Sequence, residues 1–201
     1  MRRTHIAAKK GQRSVGAAWL MADRFGLRPL GFDEAIVLLT AVHFHFAGLI
    51  VPVLGGFAIA RFVPSRLTVL IGLAVILGVP AVAVGISASQ LGLDPGVEAA
   101  AVLLMVAGGI GVAGLHLRLA VQSGARAVAR CFWGIAGVSL GAGMLLAALY
   151  GMRLFFRPWP WLDLPWMRAV HGSLNALGFG LCGVIGWWLA RSRVRTELSS
   201  D

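Results

Sequence analysis

Two apolar stretches of this chain carry side chains able to exchange protons. The first, TAVHFHFAG from Thr40 to Gly48, holds His43 and His45; the second, MRAVHGSLNALGFGLCG from Met167 to Gly183, holds Arg168, His171 and Asn175. Imidazole takes up and releases a proton near neutral pH, and an unpaired polar group in hydrocarbon is costly, so such groups point to proton transfer or proton coupling. On a helix, side chains two positions apart diverge by about 200°, so His43 and His45 cannot hold one ion together and no metal is expected.

The helical periods divide the first stretch into two faces. Thr40, His43 and Ala47 share one; Glu34, Leu38, Ala41, His45, Gly48 and Pro52 share the other. The second is small or polar throughout and ends at a proline that frees a backbone carbonyl, so it is expected to face the interior. That makes His45 the histidine expected to meet the second stretch. There, Arg168, His171, Asn175, Gly178 and Cys182 recur every three or four residues, placing the polar groups other than Ser173 on one narrow face.

Glu34, on the His45 stripe, is the expected proton donor at the mouth of an apolar pocket, with Asp33 or Asp163 as alternates. The expected catalytic set is Glu34, His45, His171 and Asn175, with His43, Thr40, Arg168, Asp163 and Trp161 contacting the substrate. Asp33, Asp94, Glu98 and Asp163 also stand where helix starts favour acids, which accounts for them as caps. His116 lies beside Arg118 near the end of an apolar run and reads as structural or solvated. The aromatic segment RLFFRPWPWLDLPW reads as an interfacial belt or as a lid over the pocket.

The elements that must position these groups are membrane helices. Of 201 residues 58% are hydrophobic and 13% charged, and the mean hydropathy is +0.82, which is beyond the range of soluble domains. Several apolar runs reach the roughly 18 to 20 residues that cross hydrocarbon as a helix, and the short alternating segments of a β-barrel are missing. An all-α bundle of about five spans is expected, at residues 33–60, 67–88, 97–121, 127–150 and 164–190. Spans one and five would run parallel, which puts the histidines and Asn175 at comparable depths, roughly 10 to 18 Å below one surface. Residues 1–32 form a basic tail in which 15–27 is expected to make an interfacial helix anchored by Trp19 and Phe25. Residues 191–201 form a polar C-terminal tail.

Net charge is +10, and seven cations fall in the first 28 residues: Arg2, Arg3, Lys9, Lys10, Arg13, Arg24 and Arg28. They suit anionic lipid headgroups; nucleic acid is excluded as a partner because interleaved aromatics are missing and membrane spans follow. Loop arginines favour a cytoplasmic C-terminus, whereas the tail argues the reverse. Cys131 and Cys182 have no metal or disulfide spacing and read as small packing residues. Gly108, Gly109, Gly111, Gly114 and Gly134, Gly137, Gly141 form small-residue stripes of the kind that let membrane helices approach. No internal repeat of the inverted-transporter type is visible.

LTAVHFHFAGLIVPVLGG and MRAVHGSLNALGFGLCGVIGW, together with RFGLRPLGFDEAI upstream, resemble the YndJ-like membrane proteins over most of residues 24–190. Longer members of that family carry additional spans. The resemblance implies a polytopic membrane protein, of a kind commonly labelled transporter, and supports pairing His43 and His45 with His171 and Asn175.

Two functions are thus expected of a multi-pass cell-membrane protein. One is an enzyme performing acid-base chemistry, a proton-initiated cyclisation or isomerisation, on a lipophilic isoprenoid- or polyketide-like molecule. The other is a transporter or permease component that uses the histidines for proton coupling. Haem b ligation by His43 or His45 with His171 is a weaker third reading, and no cofactor is expected.

Overall fold

The computed structural model describes residues 15–156 and 160–197. The tail cations Arg2, Arg3, Lys9, Lys10 and Arg13, the loop residues Arg157 and Trp159, and the end of the C-terminal tail lie outside the described residues.

Five helices are long and apolar enough to cross a membrane: α2 (Glu34–Ile59), α3 (Arg66–Gln90), α4 (Pro95–Gln122), α5 (Ala127–Gly151) and α6 (Leu164–Arg191). A shorter helix, α1 (residues 15–24), precedes them, and no strand occurs among the described residues. Several boundaries have a local cause. Asp33, Asp94 and Asp163 accept the backbone N–H of Ile36, Gly96 and Trp166, and Ser65 and Thr68 form a reciprocal capping box at the start of α3. α1 and α3 end at Gly26 and Gly92 with φ of 65° and 74°, where Leu27 and Leu93 donate back to Ala22 and Ala88, a turn that only glycine enters without strain. At the end of α4, Arg130 donates to the free carbonyls of Ala120 and Val121.

Outward-facing positions such as Leu67, Leu70, Val138, Leu145, Leu177 and Trp188 are exposed, so the bundle is apolar outside as well as inside and is built for lipid. α4 packs against α3, α5 and the second half of α2, and α6 packs on α5. Of the two small-residue stripes, Gly108 and Gly137 mark the closest approaches to a neighbouring backbone. A Cβ at Gly108 would lie 2.8 Å from the Val75 nitrogen and one at Gly137 2.9 Å from the Ala113 carbonyl, whereas Gly114 meets nothing. Cys131 is exposed on the outside of the bundle and is not the packing residue expected of it; Cys182 is half-buried.

Departures from regular α-helix fall on the elements of interest. α2 widens to π-helical geometry over Phe46–Ile50, with the Val51 N–H reaching the Phe46 carbonyl, directly before Pro52. Proline lacks the N–H and crowds the carbonyl four residues back, and the wider turn accommodates both. In α6, π-helical turns span Met167–His171 and Leu174–Leu181. The Asn175 side chain donates to the His171 carbonyl, taking the acceptor that the α-helical ladder would use, and so favours the wider turn. The π segments of α2 and α6 pack together, and Gly180 comes within 3.6 Å of Ile50 when given a Cβ.

Below that contact, the first half of α2 stands away from the other spanning helices, while its second half is packed among them. α1 covers its outer side. Gly16 lies against Phe44 and His45, and Ala22 packs with Phe32 and Val37, so α1 runs antiparallel along α2. A helix thus forms within the expected residues 15–27, packed on α2. Trp19 stacks on Phe32 with 5.9 Å between ring centroids, so it serves a protein contact, and Phe25 is left exposed.

Candidate functional site

The standoff of α2 leaves a cavity of about 660 Å³ between α1, the first half of α2 and the facing parts of α3, α4, α5 and α6. Its volume is that of a site for a drug-sized organic molecule. The walls are overwhelmingly aliphatic and aromatic, from Trp19, Ile36, Leu39, Phe46, Val82, Met105, Met144 and Phe179 among others. Besides Thr40, Ser87, Gln90 and Arg168, the polar side chains on it form two groups at different depths.

The deeper group joins α2, α5 and α6. His171 Nδ1 donates to the Gly143 carbonyl at 2.9 Å, which fixes the tautomer and leaves Nε2 to accept from the Asn175 amide at 3.1 Å; that amide also donates to the His171 carbonyl at 2.9 Å. Gly143 makes room for this set, since a Cβ there would lie 3.0 Å from the Asn175 amide nitrogen. With both its donors spent on His171, Asn175 keeps a buried Oδ1 without a partner, and His43 Nε2 is likewise buried and unpartnered. Both residues line the cavity. Such atoms each cost on the order of 1–3 kcal/mol, so their survival beside an open space is informative.

The second group lies towards the membrane side where α4 begins and α5 ends. Glu98 is buried, and its carboxylate receives Arg153 at 2.7 and 3.4 Å; the same guanidinium stacks 4.3 Å from the Tyr150 ring and donates to the Tyr150 carbonyl. Glu98, Tyr150 and Arg153 all line the cavity.

Several sequence expectations change here. His45 does not face the interior; it is exposed, donates through Nδ1 to the Ala41 carbonyl at 2.8 Å, and lies against Gly16 of α1. His43, Thr40 and Ala47, on the other face, are the ones on the cavity. Ala41 and Gly48 of the His45 stripe are buried as small residues should be, while His45 between them is exposed. Glu34 is exposed and paired with Arg28 at 3.2 Å, away from the cavity wall. Asp163 caps α6, and Trp161 is exposed and stands edge-on to Trp166; neither lines the cavity, nor do Phe155, Phe156 and Trp166, although Arg153 and Leu164 of the same segment do. Arg168, His171 and Asn175 line it as expected.

Glu98 was read as a helix-start acid, yet Asp94 alone makes that cap; the available signal was that the start of α4 and the end of α5 reach the same membrane side, where an acid and Arg153 can pair. Gly143 had no sequence signal beyond its place among small residues. Among the described residues no group of three metal-ligating side chains occurs.

The motifs that build this site also place the chain among known proteins. A model of the YndJ-like proteins matches residues 6–179. The chain belongs to the YndJ-like family. This YndJ-like chain is 28% identical over 181 residues to a protein of Bacillus subtilis (strain 168) named "Uncharacterized membrane protein YndJ", a match that covers 86% of the chain and 30% of that relative. The chain therefore spans about a third of the length of the relative it matches. No solved structure matches it.

Proposed function

We propose that this multi-pass membrane protein binds a lipophilic small molecule in the cavity behind α2 and moves a proton on it, as an isomerase or cyclase of an isoprenoid- or polyketide-like substrate. The observation that carries the reading is that His43 and Asn175, two residues lining a large apolar cavity, each keep a buried polar atom without a partner, Nε2 and Oδ1. A scaffold has no need of two open hydrogen-bonding positions there, but a ligand with a polar group would complete both.

The roles follow from what each group has left to offer. Asn175 Oδ1 accepts only, so it orients a hydroxyl or N–H of the substrate. His43 is the proton-exchanging group: its imidazole removes a proton from a carbon next to a double bond and returns it at the far end, shifting the bond with no net change of redox state. His171, held on both nitrogens, positions Asn175. The apolar walls keep water from quenching a charged intermediate. In this assignment the proton-exchanging role falls to His43, since Glu34 and His45 stand off the cavity.

The test compares lipid extracts of cells expressing the wild type, His43→Ala and His45→Ala by mass spectrometry, with protein level measured in parallel. An isomeric product lost in His43→Ala and kept in His45→Ala is the expected result. The competing reading is a carrier, favoured by the half of α2 that stands free of the bundle. It predicts unchanged chemistry with an altered distribution of the molecule across the membrane.

A further inference from the structure

The charges on the cavity do not cancel. Among the described residues three formally charged side chains line it, Glu98, Arg153 and Arg168, and the first two neutralise each other in their ion pair. Arg168 has no ion pair or hydrogen bond with any described residue. The acid one turn earlier, Asp163, is committed to the Trp166 backbone and is not on the cavity wall. A single uncompensated guanidinium at the rim of an apolar cavity is an anion receptor, with planar donors suited to carboxylate or phosphate.

Its position sets the shape of what it would hold. Arg168 lies on the same face of α6 as His171 and Asn175, seven residues before the latter, which is about 10 Å along the helix. The unpartnered acceptor Asn175 Oδ1 is thus about 10 Å deeper than the cation, with His171 between them on the same face. Resting on the same cavity as the function above, we infer that the ligand is a single-chain amphiphile with one anionic head, carboxylate or phosphate, seated at Arg168. Its chain runs inward along the apolar wall and presents a mid-chain hydroxyl to Asn175 Oδ1 and His43 Nε2. A volume of about 660 Å³ suits one chain.

Arginines near membrane surfaces also contact bulk lipid phosphates, and the experiment separates that source from a bound ligand. The full-length chain is placed in nanodiscs of purely zwitterionic lipid, and binding of the fluorescent cis-parinaric acid is compared with that of its uncharged methyl ester. Wild type is expected to prefer the acid by about tenfold or more, Arg168→Gln to lose that preference while still binding the ester, and Arg168→Lys to keep most of it. Dodecyl phosphate is expected to displace the acid better than dodecanol does, and hydroxystearate with its hydroxyl at mid-chain better than stearate, the latter advantage vanishing in Asn175→Ala.

Equal affinity for acid and ester in the wild type, or full selectivity surviving in Arg168→Gln, overturns the inference. So does loss of selectivity when anionic lipid is added to the disc, or displacement of the probe by inorganic phosphate alone. Arg168-dependent selectivity in a protein that yields no new product in cell extracts leaves the anion site standing and removes the enzymatic reading. A product formed by a protein that binds acid and ester alike does the reverse.

Discussion

His43 and His116 are two histidines of one bundle, the first half-buried and the second fully buried, and in each a buried Nε2 lacks a partner. His116 is wholly inaccessible; its Nδ1 donates to the Val112 carbonyl at 3.0 Å, and aromatic rings close around it, Phe179 at 5.4 Å and Trp187 at 6.4 Å between centroids. Trp133 packs tilted against Trp187 at 4.9 Å, and Arg61 and Arg191 lie over Trp187 and Phe57, so that end of the molecule is filled and held by cation–π contacts. Around His43 the helices part and leave the cavity. An orphaned nitrogen sealed in rings is a tolerated cost of packing, whereas one on a residue that lines a cavity is where the proposed ligand would bind. The difference lies in the space beside the atom and not in the residue type.

The comparison can be broken at several points, the packed end first. Trp133→Ala removes a ring that is 1% exposed, and a loss of about 3–5 kcal/mol is expected as a large fall in thermal midpoint in detergent. At the cavity end the most costly change is Glu98→Gln, which strands Arg153. Because that guanidinium is 27% exposed, about 2–3 kcal/mol is expected in place of the roughly 3–5 of a fully buried pair, and adding Arg153→Met should recover most of it in denaturant titrations. His116→Ala should cost on the order of 2 kcal/mol by the same measurement, since the rings around it cannot close the void. Gly143→Ala presses a methyl against the Asn175 amide; a loss of about 1–2 kcal/mol is expected, together with weaker ligand binding by fluorescence titration. The smallest effect is expected for His43→Ala, below about 1 kcal/mol in thermal stability because the site already borders a void, while product formation is lost. A destabilisation by His43→Ala as large as that by His116→Ala would erase the distinction between the two ends.

Much of this was legible in the residues. The five spans agree with the expected ones to within two residues at each end, because length and hydropathy decide which segments enter a bilayer and Asp33, Ser65, Asp94 and Asp163 mark where four of them start. The grouping of Arg168, His171 and Asn175 on one face was readable too, since it depends on helical period alone. The choice between His43 and His45 was not readable. It turned on the rotation of α2, which the π-helical turn before Pro52 and the cover supplied by α1 set together. The pairing of Glu98 with Arg153, 55 residues away, likewise required α4 and α5 to be neighbours in space.

The sequence by itself determined that this chain is a membrane bundle, that it belongs with YndJ-like proteins, and that a histidine of the first span and His171 with Asn175 of the last are its unusual polar groups. Only the tertiary structure decided which histidine meets a cavity, which acid is buried, and that Arg168 is left without a counter-charge. The physical reason is that composition and period act within a segment, whereas the space beside a side chain and the charges facing it are supplied by the other helices.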